Sequence, residues 1–356
     1  MTEPKKSPHS LGRRLAAALR RRSVLGPGRL LQLGTSFWAS RAFLSAVELG
    51  LFSVLARGPL AERQLREALG LHQRGARDFF DALVAMGVLK RRRGLYANAA
   101  DVEVFLDSAK PTYIGGLLEM MATRQYGFWA QLTEGLRTGR PQNETKHGGD
   151  LFDALYANPV HLRTFLAAMS SISLGAARGV ARKFPWKRYH SFWDVGGAQG
   201  SMSAQLALAH AHLTGGVFDL PPVQPLFETY VRSFGLERRL RFQAGDFFRD
   251  PLPAADVLIM GHVLHDWDLE QKRYLVRQAY EALPAGGALI VYEAMIDNER
   301  RRNLPGLLMS LNMLLETAGG FDFTIADCQR WLKDAGFGRT RALALNRPDT
   351  MVIGFK

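Results

Sequence analysis

The glycines Gly196, Gly197 and Gly200 and the carboxylates Asp194, Asp219 and Asp246 are the residues of this chain best suited to hold a ligand. Residues 192–195 (Phe-Trp-Asp-Val) read as a short strand. Residues 196–200 (Gly-Gly-Ala-Gln-Gly) read as a tight turn, and a helix begins near Ser201. Glycines at such a junction let backbone approach a ligand where a Cβ would obstruct it. The GxGxxG pattern of dinucleotide binders is absent, and so is the GxxxxGK phosphate cradle followed by Ser or Thr. Asp194 stands just before the turn, Asp219 (with Leu220 beside it) closes the next strand, and Asp246 follows the third. Carboxylates in these places suit ribose hydroxyls and a sulfonium cofactor with an amino-acid tail, S-adenosylmethionine, better than a pyrophosphate. Asp246 is expected to accept from the cofactor or the loop backbone. Phe247 is expected beside the adenine, with one of Phe247 and Phe248 in the core.

These side chains need a scaffold that brings strand ends together. Strand-like runs at 215–218, 240–244, 255–260 and 288–293 alternate with helical stretches such as 270–283. That alternation predicts a Rossmann-like, doubly wound, mostly parallel α/β sheet covered on both faces, with a ligand at the carboxyl ends of the strands. Residues 351–355 suit an added edge or penultimate strand. Upstream, leucines at helical spacing over 60–70 and an apolar face over 76–86 precede two short strands around the basic turn 91–94. This helix, helix and wing arrangement is winged-helix-like. The expected organisation is a basic extension (1–29), a mostly helical winged-helix-like dimerisation domain (30–108), a helical linker and pocket cover (109–185) and a cofactor-binding catalytic domain (186–356).

At 356 residues the chain exceeds one ordinary core. A single cysteine, Cys328, excludes an intramolecular disulfide framework and a thiolate metal cluster. No His and carboxylate grouping shows zinc-ligand spacing, so no metal is expected. No unbroken apolar stretch reads as long enough for a membrane span and no secretory signal is evident, so a cytoplasmic protein without membrane insertion is expected. The net charge of +13 invites a nucleic-acid reading. Much of that charge lies in Lys5, Lys6, Arg13, Arg14 and residues 20–22, where a helix over 11–22 would put leucines on one stripe and arginines elsewhere. The strip has no recognition motif, and specific nucleic-acid binding is not expected.

The motifs Asp194-Val195-Gly196-Gly197-Ala198-Gln199-Gly200, Gly245-Asp246-Phe247-Phe248 and Val263-Leu264-His265-Asp266-Trp267 resemble those of the small-molecule O-methyltransferases of the plant caffeate/flavonoid and animal acetylserotonin type, which include bacterial secondary-metabolite members. The resemblance runs from about residue 30 to 356. It implies a homodimer whose N-terminal domain helps close the substrate site. The family's general-base histidine falls on His265, and the two acidic residues that hold it fall on Glu293 and Asp322. Plant members typically have Glu at the latter position. Asp266 matches a substrate-side acid and Trp267 an adenine-packing position. Ser173 matches a cofactor-side position, Phe165 and Met169 match substrate-packing positions, and Met313 and Thr317 match pocket walls. Ala198 stands where a third glycine is usual, and Gly261 where plant relatives have a lysine near the cofactor.

Histidine suits base catalysis because its neutral form is available near neutrality. Phe128, Trp129, Met309 and Phe321, with the apolar residues above, suggest a pocket for a small hydroxylated, aromatic or polyketide-like acceptor. Two other readings stand beside hydroxyl methylation. One is a carbon- or nitrogen-directed methyltransferase, or another enzyme that uses the same cofactor. The other is a winged-helix DNA-binding regulator, suggested by Arg91, Arg92 and Arg93 and the basic terminus.

Overall fold

The structure, a computed structural model, describes residues 27–110, 112–149 and 151–356. Most of the basic extension, including the helix expected over 11–22, lies outside them.

The N-terminal region packs the helices Gly28–Glu48, Leu51–Leu55, Glu62–Ala68 and Gln73–Ala85 against a small antiparallel sheet of β1 (Leu60–Ala61), β2 (Leu89–Arg92) and β3 (Leu95–Asn98), in the order β1-β3-β2. Arg93 and Gly94 join β2 to β3 with φ of 50° and 80°. Positive φ at both central residues is the mark of a two-residue turn whose twist matches the flanking strands. Leu65, Phe80, Leu83 and Tyr96 fill the core. The wing's charge is partly spent internally, since Arg91 pairs with Asp81, which also accepts from the Tyr96 hydroxyl at 2.7 Å. Along Gly28–Glu48, Leu30, Leu31, Leu33, Phe37 and Trp38 are exposed.

The cover begins with Gly115–Met120, a π-helical turn at Met121–Gln125, and Tyr126–Trp129. The long helix Pro159–Lys183 starts cleanly because Asn158 Oδ1 accepts from the amides of Val160 and His161 and proline fills the first turn. By length and composition this helix could cross a membrane, which the sequence reading did not pick out. It is a core helix of this fold: Leu162, Leu166, Ala176, Ala177 and Val180 are buried.

The catalytic half holds a seven-stranded sheet of β4 (Ser191–Val195), β5 (Thr214–Asp219), β6 (Leu240–Ala244), β7 (Val257–Gly261), β8 (Ala288–Glu293), β9 (Arg339–Ala344) and β10 (Thr350–Phe355). Their order is β6-β5-β4-β7-β8-β10-β9. The first five are parallel, and β10 runs antiparallel between β8 and β9. This is the doubly wound sheet expected, with residues 351–355 in the penultimate place; β9 was not foreseen. One buried cluster joins Ala176, Val180, Phe192, Leu206 and Phe227 on one face of the sheet. Another joins Leu258, Leu275, Val276 and Trp331 on the other. Strand order reverses at β4, so the carboxyl ends of β4, β5 and β7 border one crevice.

The turn after β4 occupies that crevice. Gly196 has φ 68° and its amide donates to the Phe218 carbonyl at 2.8 Å. A Cβ on Gly197 would fall 2.6 Å from Asp194 Oδ2, so glycine there makes room for a carboxylate. Gly200 has φ 92° and packs on Phe227. Ala198 also lies in the left-handed region, at φ 52°, where a side chain costs roughly 1–2 kcal/mol. Ala198→Gly should therefore raise unfolding stability, by about 1 kcal/mol once glycine's greater backbone entropy is counted. Urea unfolding of the two proteins checks this.

Candidate active site

Two carboxylates frame the crevice. Asp194 is buried at the end of β4, and desolvation, then the neighbouring charge of Asp219, pushes its pKa well above the usual range. Asp219 ends β5. Its Oδ2 accepts from the Ala198 amide at 2.8 Å and its Oδ1 from the Leu220 amide at 2.7 Å. Burial outweighs those bonds and lifts its pKa to about 6. A carboxylate has about four lone-pair directions, so Asp219 is held in place and can still accept from a ligand. Both residues line a cavity of about 810 Å³, a size typical of small-molecule sites. Ser173, Gly196, Gly197, Leu220, Asp246, Phe247 and Trp267 line it too. Gly200 does not; its role is the turn and the packing described above.

Asp246 works on its own loop, accepting from the Phe248 amide at 2.9 Å and pairing with Arg249 at 3.3 Å. Phe247 and Phe248 both face the cavity and pack edge-on to Trp267, with centroids 5.7 and 4.6 Å away. Neither is withdrawn into the core alone.

Behind this cavity lies a buried cluster of imidazoles and carboxylates. His265 follows β7 in a short 3-10 turn, Leu264–Asp266. Its Nδ1 is 3.4 Å from Glu293 Oε2 and 3.4 Å from Asp322 Oδ1, and its Nε2 is 3.6 Å from Asp266 Oδ1. Asp322 thus reaches the ring as closely as Glu293, despite its shorter side chain. Burial acts to lower the His265 pKa, but the charges of Glu293, Asp266 and Asp322 prevail and hold it at about 10. Desolvation raises Asp266 to about 7. The ring is therefore an imidazolium near neutrality, with the carboxylates of Glu293 and Asp322 beside Nδ1 and the partly protonated carboxyl of Asp266 beside Nε2.

Four members of this neighbourhood were not among the expected site residues. His262 lines the cofactor-sized cavity with its Nδ1 3.4 Å from the same Glu293 oxygen. Asp349, before β10, lies 3.6 Å from His262 Nε2. Lys272 is buried with its ammonium on the Trp267 carbonyl and 3.6 Å from the Phe321 ring centre. Burial lowers its pKa to about 8. Its spacing carried a signal, because Lys272 shares a stripe with the buried Leu275, Val276 and Ala279. Tyr292 is the fourth. Ligating atoms of His262, His265 and Glu293 lie within 4.8 Å of one another, a spacing that could also hold a metal ion and that the sequence reading did not expect.

The acceptor residues are dispersed. Phe165 and Met169 line the cofactor-sized cavity. Asp266, Trp267 and Thr317 line a second cavity of about 610 Å³, which shares Phe152, Trp267 and Gln271 with the first. Phe128 and Phe165 border a third, of about 590 Å³. Trp129 turns its indole N–H to Asn312 Oδ1 at 2.8 Å. Met313 is buried, and neither it nor Met309 lines any of these cavities. The Thr317 hydroxyl donates to the Met313 carbonyl and accepts from the Gly320 amide. A network joins this region to the cover: Arg124 binds Glu144 and Glu316, and Glu316 also accepts from Gln125 and Asn312.

A doubly wound sheet with acidic strand ends and a histidine held by carboxylates defines a cofactor-dependent group-transfer enzyme. Residues 129–338 match the O-methyltransferase domain and residues 31–108 the O-methyltransferase dimerisation domain. The chain belongs to the O-methyltransferase family. It is 46% identical over 334 residues to the tetracenomycin polyketide synthesis 8-O-methyl transferase of Streptomyces glaucescens, covering 94% of this chain and 98% of that one. An N,N-dimethyltransferase of Streptomyces rimosus is 39% identical over 309 residues, covering 86% and 90%. The crystal structure of human N-acetylserotonin methyltransferase in complex with SAM superposes with a TM-score of 0.86 at 28% identity, covering 94% of this chain and 99% of that one.

The raised pKa of His265 has a consequence for stability. Its value in the unfolded chain is about 6.5, and in the fold about 10. The group's stabilisation is complete below the first value and is lost as pH rises towards the second. The stability gap between the native protein and His265→Asn should accordingly narrow from about pH 6 to about pH 9, as followed by urea unfolding.

Proposed function

We propose that this enzyme transfers a methyl group from S-adenosylmethionine to a hydroxyl of a small aromatic or polyketide-like metabolite, with His265 as general base. The observation that carries the reading is His265 Nδ1 set 3.4 Å from both Glu293 and Asp322; His265 itself lines none of the three cavities, but its neighbours Val263 and Trp267 line the one walled by Asp194, Asp219 and the glycine turn. That cavity suits the cofactor: Gly197 clears space for the Asp194 carboxylate, which faces an ammonium tail, while Asp219 is oriented for ribose hydroxyls and Phe247 and Trp267 offer aromatic faces to an adenine. When bound, the cofactor supplies an electrophilic methyl group on a sulfonium and leaves as a neutral thioether.

The chain's own groups manage the proton and the alignment. The charges of Glu293 and Asp322, each 3.4 Å from Nδ1, favour a proton on that nitrogen and leave Nε2 to take the proton from an acceptor hydroxyl, the logic of a carboxylate-oriented histidine. Asp266, beside Nε2 and on the second cavity, is placed to contact that hydroxyl. The aromatic wall of Phe152 and Trp267 between the cavities, with ring centroids 5.8 Å apart, supports exclusion of water and in-line alignment. The N,N-dimethyltransferase relative favours a second reading in which the acceptor atom is an amine nitrogen. The dimerisation-domain match and the exposed apolar side chains of Gly28–Glu48 support a homodimer through that helix, rather than a DNA-reading wing.

Incubation with methyl-labelled cofactor and a panel of hydroxylated and aminated polyaromatics, read by mass spectrometry, should place the label on oxygen; label on nitrogen alone would establish the second reading. His265→Ala should lower kcat about 10²–10⁴-fold while cofactor binding persists, and unchanged transfer would remove the base role. Because the resting ring is an imidazolium, kcat/KM should climb with pH through neutrality. Glu293→Gln removes the first of the charges that raise the histidine, and the climb should shift to lower pH with a lower plateau. Trp38→Glu with Leu33→Glu should turn a dimer into a folded monomer in sedimentation experiments.

A further inference from the structure

Strand β8 ends in Tyr292 and Glu293, and alternation along a strand sends neighbouring side chains to opposite faces. Glu293 turns to the two histidines, and Tyr292 lines the cofactor-sized cavity. Opposite Tyr292 in the parallel register with β7 stands Gly261. A Cβ on Gly261 would lie 1.9 Å from Cε1 and Cζ of Tyr292 and 2.3 Å from its hydroxyl. The phenol ring therefore lies directly over Gly261, in space that any other side chain at 261 would claim. This is the position where plant relatives carry a lysine near the cofactor.

The hydroxyl ends at a defined place. It is 3.4 Å from Ser173 Oγ on the helix Pro159–Lys183, across the cavity from β8. Tyr292 donates its one O–H to Ser173 Oγ in a long bond that a charged acceptor can displace, and the Ser173 hydroxyl keeps its own proton to donate. Burial first, then the charge of Asp194, keeps the phenol pKa well above its usual value; the group is a neutral donor at any physiological pH. Cationic side chains are scarce on this cavity's wall. Arg249 is exposed and paired with Asp246, and His262 is directed at Glu293 and Asp349. An amino-acid tail with its ammonium at Asp194 would bring its carboxylate to a wall of hydroxyl donors.

We propose that Tyr292, together with Ser173, is a binding residue for the carboxylate of the cofactor's amino-acid tail, and that glycine at 261 serves to admit its ring. The inference rests on the S-adenosylmethionine reading above. Two neutral hydroxyls, one from Tyr292 and one from Ser173, then meet the carboxylate, and the glycine on the adjacent strand is what admits the ring.

Calorimetric titration with S-adenosylhomocysteine and with its decarboxylated analogue tests this, using wild type, Tyr292→Phe and Gly261→Ala. Tyr292→Phe should bind S-adenosylhomocysteine about tenfold more weakly, the effect of one hydrogen bond to a charged group. Its affinity for the decarboxylated analogue should match wild type. The KM for S-adenosylmethionine should rise more than kcat falls. Gly261→Ala, which displaces the ring while keeping the phenol, should show the same ligand-dependent loss; it stands in if Tyr292→Phe proves unstable in a thermal melt. Unchanged affinity for S-adenosylhomocysteine, or an equal loss for both ligands, would overturn the assignment. Wild-type protein that binds neither ligand would instead overturn the cofactor reading itself.

Discussion

Everything in the catalytic half turns on one electrostatic problem, the burial of several carboxylates in a small volume. Glu293, Asp322 and Asp349 are almost inaccessible to solvent, and Asp266 beside them is partly buried at the edge of the second cavity. Charges taken from water must find countercharge or lose their ionisation. Here His262 and His265 share one oxygen of Glu293, and the buried Lys272 ammonium is held nearby on the Trp267 carbonyl. Protonated imidazole is the cheapest available cation. That is why the His265 ring rests in its acid form, with the same carboxylates that flank it raising its pKa.

The sheet makes such a cluster affordable. Every residue of β8 is buried, and the strand is bonded to β7 on one side and β10 on the other. Its end cannot relax away from the histidines. The cover is tied down separately: Arg124 and Gln125 reach Glu316, and Trp129 reaches Asn312, across the seam between cover and catalytic domain. Buried ion pairs and amides at a seam specify geometry more than they add net stability. The cavities lie between the sheet and helices fastened to it through these polar contacts.

Features written locally in the chain were legible, and those assembled by the fold were not. The glycine turn and Asp194, Asp219 and Asp246 are each a strand end followed by a loop, and strand periodicity locates them without tertiary knowledge. Glu293 and Asp322 came only through family likeness, because nothing in their own segments says that β8 and the loop after Leu304–Glu316 meet at His265. Asp349 and Tyr292 had no such guide. Apolar stripes misled in the other direction: Met313, Met309 and Trp129 lie on helices where pocket wall and packed core share one periodicity, and the structure spreads the expected acceptor residues over three cavities. Strand β9, Arg-Thr-Arg-Ala-Leu-Ala, alternates too weakly in polarity to announce itself.

The placement of β10 has a temporal consequence. It is the last strand of the sheet in chain order, yet it sits between β8 and β9, pairing Met351 with Tyr292 and Thr350 with Glu293. A chain growing on the ribosome presents its glycine turn, His265 and Glu293 long before the strand that clamps them. During that interval the edge of β8 is open, a hazard for unpaired strands. The reaction centre is therefore closed late, by a segment that contains none of the recognisable motifs.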